Sequence, residues 1–165
     1  MIEVATLSSP IGPLALAAHE GAVCAVWFGA VESLERLLAR WYPGEHTAVA
    51  VDPAGAASAL SAYFAGDLQA LADIPVVLHG TPFQRRVWER LREVPAGRTA
   101  TYGAIAAAIG ARSAVRAVGA ANGANPVSII VPCHRIIGAN GALVGYGGGL
   151  ERKRWLLDHE SRRLF

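Results

Sequence analysis

Thr81-Pro82-Phe83-Gln84 constrains this chain more than any other short segment. A threonine followed three residues later by glutamine is a capping box, and proline suits the first helical position, so a helix opens here. Phe83, Val87, Trp88 and Leu91 form its apolar stripe through about Glu93, and Pro95-Ala96-Gly97 ends it. Two more short helices follow the same rules. Thr101 caps a helix from Tyr102 to Ile109 that Gly110 stops, and Ser113 caps one from Ala114 to about Asn122, closed by Gly123. A last helix is expected from Leu150 to Glu160, with Leu156 and Leu157 inward.

The part before this box reads differently. Residues 2–8, 13–18 and 23–28 are short β-type runs, with a turn at His19-Glu20-Gly21. Glu32–Trp41 places Leu34, Leu37 and Leu38 on one helical face, and Asp52-Pro53 reads as the start of a helix that Gly66 stops. Asp67–Gly80 shows no periodicity and is expected to be a linker. The expected organisation is a small α/β domain over 1–75, with the linker at its end, and a mainly helical domain over 76–165.

Charge divides at the same place. Residues 1–80 hold two bases, Arg36 and Arg40, against eight acids, whereas residues 81–165 hold thirteen bases against five acids. Such a split suits a polyanion meeting the second half. Lys153 is the lone lysine among fifteen bases, and arginine favours bidentate phosphate contacts. Two helices joined by a tight glycine-containing turn are also a helix-turn-helix candidate. On the second, Val115 and Val118 are expected inward and Arg116 outward, with small Ala120 and Gly123 beside it. An αα-hairpin that merely packs is the plain alternative.

With 165 residues, 53% of them apolar, the chain can bury a real core, and no apolar run is long enough to span a bilayer. The early acid of Met1-Ile2-Glu3-Val4 argues against a secretory signal. Two cysteines make no disulfide framework, so a reducing cytoplasm is the expected setting. No CxxC or HxxxH pair exists among Cys24, Cys133 and the five histidines, and no metal or cofactor is expected.

Cys133 is the chemical centre of the sequence. It ends the β-type run Val127–Val131 after Pro132, and His134 and Arg135 follow it. Cationic neighbours or a helical turn starting at the cysteine would favour its thiolate, with His134 as base directly or through one water. A buried, inert cysteine is the alternative. Glu160 sits near a helix C-terminus, where a negative charge opposes the helix dipole, so it could orient a histidine. It could also pair with Arg162 or Arg163. Asn140-Gly141 reads as a type I′ hairpin between Ile136-Ile137 and Leu143-Val144. Gly145-Tyr146-Gly147-Gly148-Gly149 lacks the Lys and Ser/Thr of a phosphate loop, and its glycines suit close approach to a ligand.

Ile129-Ile130-Val131-Pro132-Cys133-His134-Arg135 resembles the active-site signature of the O6-alkylguanine-DNA alkyltransferases, also called methylated-DNA–protein-cysteine methyltransferases. Gly80–Gln84, Val87-Trp88, Pro95–Gly97, Thr101–Gly110, Arg116–Gly119, Asn122–Pro126, Gly145-Tyr146 and Trp155–Glu160 follow in that family's order, and Ser9–Leu14 is similar to its opening hairpin. The resemblance implies a ribonuclease H-like N-terminal domain with a small antiparallel sheet plus helices, then a helical domain whose helix-turn-helix binds duplex DNA from the minor groove. It also implies direct, stoichiometric transfer of the alkyl group from O6-alkylguanine, and less well O4-alkylthymine, to the protein's own cysteine after base flipping.

By position, the resemblance makes Cys133 the acceptor, His134 the base, Glu160 its orienting carboxylate and Asn125 the brace of the active-site turn. Tyr102 would rotate the nucleotide and hydrogen-bond the base. Arg116 would fill the gap in the stack, with Ser113, Ala117, Ala120 and Arg135 at the DNA. Tyr146, Gly147, Gly148, Val131 and Ser128 would line the base pocket. The expected working form is a cytoplasmic, nucleoid-associated monomer with no obligatory protein partner and room for cooperative loading on DNA. A lesion-binding relative without chemistry would lack Cys133, and an unrelated cysteine hydrolase would need turnover and an oxyanion site.

Overall fold

The computed structural model describes residues 1–161. By contact density the chain forms two compact units, Met1–His79 with Pro126–Ile130, and Gly80–Asn125 with the segment from Val131 onward.

The first unit is built on a four-stranded sheet in the order β3-β2-β1-β4, with β1 Ile2–Leu7, β2 Leu14–His19, β3 Ala22–Phe28 and β4 Thr47–Val49. The β2–β3 connection has two residues, Glu20 at φ 49° and Gly21 at φ 80°, the left-handed pair that a tight hairpin requires. β4 runs parallel to β1 and was absent from the sequence expectation. The sheet is therefore mixed rather than antiparallel. Ile2, Val4, Ala15, Ala17, Cys24 and Ala25 form the core with Leu34 and with Leu38 from α1 (Glu35–Trp41).

Two expectations for this unit change. The helix after Asp52 begins later, as α2 (Ala56–Phe64), because Ala54 and Gly55 adopt positive φ after Pro53. Gly55, not Asp52, is the cap residue of α2, although the Asp52 carboxylate reaches its first turn, accepting from Ser58 N at 3.1 Å and from Ser58 Oγ at 2.5 Å. At the other end Gly66, at φ 116°, completes a left-handed stop in which Asp67 N bonds Ala62 O and Gly66 N bonds Tyr63 O. The segment after Gly66 is not a free linker. Leu71 is buried, Val23 N donates to Pro75 O, and Val77 N donates to Val23 O.

The second unit holds α3 (Pro82–Leu91), β5 (Ala100–Thr101), α4 (Tyr102–Ala108), α5 (Val115–Gly123), β6 (Ile136–Ile137) and α6 (Leu150–Ser161). The capping box forms as read, with Gln84 N donating to Thr81 Oγ1 at 3.1 Å and Thr81 N donating to Gln84 Oε1 at 2.9 Å. Val87, Trp88 and Leu91 are buried, and the Trp88 indole donates to Ala121 O on α5 at 2.8 Å. Thr101 caps α4 by accepting from Ala104 N, and Gly110 stops the helix at φ 74°. Ser113 does not cap α5. It lies in an exposed turn, and the cap residue is Ala114, whose side chain makes no cap hydrogen bond.

Val115 is 41% exposed rather than inward, whereas Val118 is buried. Asn140 keeps a negative φ, so no type I′ hairpin forms. Gly138 and Ala142 close a loop instead, and β6 pairs in parallel with β5. Among the described residues no helix is long and apolar enough to cross a membrane.

Candidate active site and nucleic-acid interface

Val127–Val131 is apolar enough for a strand, but its backbone turns. Ile130 N donates to Ser128 O across Ile129, whose φ of 72° is costly for a β-branched residue. Cys133 N then donates to Val131 O at 2.8 Å across Pro132, at φ −83° and ψ 64°. That is an inverse γ-turn, and proline's fixed φ pre-sets it. The tight turn delivers Cys133 to the start of a single 3-10 turn, Cys133–Arg135. The Asn125 amide braces it by donating to Val131 O at 2.8 Å.

His134 and Glu160 meet as the sequence suggested. His134 Nε2 lies 2.8 Å from Glu160 Oε2, with both residues buried. Arg135, expected at the DNA, is buried here: Nε and Nη2 donate to Glu160 Oε1 and Oε2 at 2.9 and 2.8 Å, and Nη1 donates to Val94 O. Arg135 is therefore the partner of Glu160. Arg162 and Arg163, the other candidates, lie outside the described residues.

These contacts fix the protonation pattern. Burial alone would raise the Glu160 pKa, but hydrogen bonds from His134 and Arg135, with their charges, hold it well below the usual carboxylate range. Glu160 is thus ionised and can only accept, so the His134 proton sits on Nε2. Burial lowers the His134 pKa, against the pull of Glu160, and keeps the ring neutral. Its Nδ1 lone pair is buried without a hydrogen-bond partner among the described residues. That is the configuration of a general base awaiting a proton.

The thiol departs from expectation. Cys133 is 4% exposed, and burial pushes its pKa up to about 11, although the Asn125 amide and the Lys153 charge pull it down. The resting group at neutral pH is therefore a protonated thiol.

Sequence reasoning missed Lys153. It is fully buried on α6, and its ammonium donates to Ile136 O, Val144 O and Gly145 O at 2.5, 3.0 and 3.2 Å. Three convergent carbonyls suit a compact ammonium with three donors better than a planar guanidinium. Its being the lone lysine in an arginine-rich chain was the available signal.

The remaining candidates separate clearly. Tyr102 heads α4 half-buried and donates to Val144 O at 3.0 Å. Burial raises its pKa, as does the Cys133 charge, while the Asn122 amide lowers it. Tyr146 is half-buried, and burial pushes its hydroxyl pKa well up. Gly147 and Gly148 follow it, Gly148 O accepting from Arg152 at 3.2 Å and Gly149 carrying φ 90° before α6. Val131 is buried, its carbonyl engaged as above. Ser128 belongs to the first unit, where its N–H donates to Val26 O. Ser113, Arg116, Ala117 and Ala120 are all exposed on or before α5, giving one arginine among small side chains. No cluster of three or more His, Cys, Asp or Glu among the described residues could hold a metal.

A family model described as the 6-O-methylguanine DNA methyltransferase DNA-binding domain matches residues 82–162. The methylated-DNA–protein-cysteine methyltransferase of Mycobacterium tuberculosis strain H37Rv is 50% identical over 166 residues, covering 99% of this chain and 94% of the relative. The chain belongs to the methylated-DNA–protein-cysteine methyltransferase family. The methyltransferase of Salmonella typhimurium strain LT2 is 46% identical over 162 residues, covering 96% of this chain and 95% of the relative. A crystal structure of Mycobacterium tuberculosis OGT in complex with DNA superposes with a TM-score of 0.80 at 47% identity, covering 98% of this chain and 94% of that one.

Proposed function

We propose that this chain repairs DNA by moving the alkyl group of O6-alkylguanine, and less well that of O4-alkylthymine, onto Cys133 Sγ. The observation that carries this is a buried thiol followed in the chain by a histidine whose Nε2–H is tied to an ionised carboxylate, with the ring's Nδ1 buried and unbonded among the described residues. In the step, the thiol proton passes to His134 Nδ1 through one water. The sulfur attacks the saturated carbon, the S–C bond forms as the C–O bond breaks, and the bonding pair leaves with the purine. The purine takes up one proton and departs as guanine. The thioether has no route back to a thiol, so each molecule acts once.

The base is flipped out of the duplex to reach the thiol. We read α4 and α5 as a helix-turn-helix that binds from the minor groove. Arg116 fills the gap left in the stack, Tyr102 rotates the nucleotide and hydrogen-bonds the base, and Ser113, Ala117 and Ala120 sit against the backbone. Tyr146, Gly147, Gly148 and Val131 line the base site, with Asn125 bracing the turn. We assign this work to a DNA-binding and active-site domain over residues 76–165, and read residues 1–75 as a ribonuclease H-like domain. The protein acts as a monomer at the nucleoid, where its substrate lies.

Replacing Cys133 by serine tests the assignment. Transfer from an O6-methylguanine duplex should vanish while lesion-selective binding stays, measured by radiolabel transfer and by fluorescence anisotropy. Residual transfer at the wild-type rate would move the acceptor role elsewhere.

A further inference from the structure

Asn122 ends α5 in an unusual state. It is 3% exposed, a poor setting for an amide unless both polar ends are matched. Its Nδ2 donates to the Cys133 carbonyl oxygen at 3.3 Å. A carbonyl can only accept, so the orientation of the amide is settled by this bond and Oδ1 is the other end. Oδ1 is buried and has no hydrogen-bond partner among the described residues. The same amide neighbours the Tyr102 hydroxyl, which in turn donates to Val144 O. Asn122 thus stands between the backbone of the nucleophile and the tyrosine read above as touching the base. It presents there one buried acceptor with nothing to accept.

The chemistry of the lesion says what that acceptor can receive. Alkylation at O6 removes the proton from N1 of guanine, leaving the exocyclic 2-amino group as the base's only N–H donor. Alkylation at O4 of thymine likewise removes the proton from N3 and leaves no N–H donor at all. We propose that Asn122 Oδ1 accepts a hydrogen bond from the 2-amino group of the flipped base, making Asn122 a specificity-determining residue that favours alkylated guanine over alkylated thymine. This rests on the reading that the base enters the site beside Cys133. The Nδ2 bond to the Cys133 carbonyl gives Asn122 a second effect, holding the reader of the base in register with the nucleophile.

The test compares single-turnover transfer from two duplexes, one with O6-methylguanine and one with O6-methylhypoxanthine, which lacks only the 2-amino group. In the wild type the guanine lesion reacts faster. In Asn122→Leu the ratio of the two rates falls roughly tenfold, the scale of one neutral hydrogen bond, whereas Asn122→Asp, which keeps an acceptor, holds the ratio within about threefold. Equal slowing of both substrates in Asn122→Leu overturns the proposal and leaves a purely structural residue. If the leucine variant does not fold, a structure of Cys133→Ala bound to the O6-methylguanine duplex decides. An Oδ1 to N2 distance within about 3.2 Å supports the contact, and a separation without contact overturns it. A wild type that takes no methyl group from the guanine duplex overturns the functional reading itself. A wild type that reacts, with a ratio indifferent to Asn122, overturns only this inference.

Discussion

Arg135 meets Glu160 through Nε and Nη2 at 2.9 and 2.8 Å, inside the protein, on the same carboxylate that holds His134. One acid near the end of α6 therefore organises both residues that follow the cysteine. The His134 hydrogen bond and then the Arg135 pair hold Glu160 ionised against its burial. An ionised Glu160 can only accept, which fixes the His134 tautomer.

The pH dependence of transfer follows from these groups. With a thiol pKa of about 11, only roughly one Cys133 in ten thousand is ionised at pH 7. The wild-type rate should fall as His134 is protonated, below its ordinary 6.5 because burial depresses it, and be nearly flat above. In His134→Gln the base is gone, so the rate should drop by about 10² or more. It should then climb about tenfold per pH unit toward the thiol pKa. Stopped-flow transfer rates between pH 5 and 10 check this, and a profile unchanged in the variant would remove His134 from the chemistry.

Stability should respond to acid through the same pair. Both folded pKa values are depressed, so the unfolded chain binds protons first as pH falls. The contribution of His134 is present above its ordinary 6.5 and declines below it. That of Glu160 is present above its ordinary 4.5 and is lost as pH drops further. Urea midpoints should therefore decrease from pH 7 to pH 4, and more gently in Glu160→Gln. Equal slopes for the two proteins would contradict the linkage.

Lys153 should resist even a conservative change. Lys153→Arg keeps the charge but cannot bring three donors onto Ile136 O, Val144 O and Gly145 O, so a loss of about 1–3 kcal/mol is expected. Lys153→Met also removes a charge that favours the thiolate, so the Cys133 titration should move above about 11. Thermal melts and thiol alkylation against pH measure these effects. An arginine variant as stable as the wild type would refute the geometric argument.

Gly80 is required by the capping box. A methyl group there would lie 2.5 Å from the Trp88 ring and 2.8 Å from Gln84 Oε1. Gly80→Ala should cost about 1–3 kcal/mol through displaced packing, read as a lowered urea midpoint. No change would mean the Trp88 ring moves freely.

Much of this was legible in the residues because it is local chemistry. The capping box, the Thr101 cap, the stops at Gly66 and Gly110 and the Glu20-Gly21 hairpin depend on neighbours within four positions, whereas Gly123, expected to close α5, lies within it at a negative φ and Ala124 is the cap. What failed depends on distant partners. β4 is three residues long and exists by pairing with β1. Val127–Val131 has a strand's composition but is bent by its γ-turns. Ser113 and Asn140 carry the right side chains for a cap and a hairpin, and the backbone around them takes another course. Arg135 reads as a surface charge until Glu160, 25 positions later, is seen beside it. At the site, the cysteine, histidine and glutamate were legible as residue types, while the burial of the thiol and of Lys153 was not.

Arg116 is exposed on α5 among small side chains. Arg116→Ala should slow repair of duplex DNA by on the order of tenfold or more, since an unpaired stack costs a few kcal/mol. Reaction with free O6-methylguanine should be nearly unchanged. Equal losses on both substrates would take the stacking role from Arg116.

The central claim is transfer to Cys133, and intact mass spectrometry after incubation with a duplex bearing one O6-methylguanine tests it most directly. A single methyl-sized gain is expected, one per protein molecule, mapped by peptide digestion to Cys133, with no further gain on longer incubation. An unmodified Cys133, or a methyl group on another residue, would contradict it.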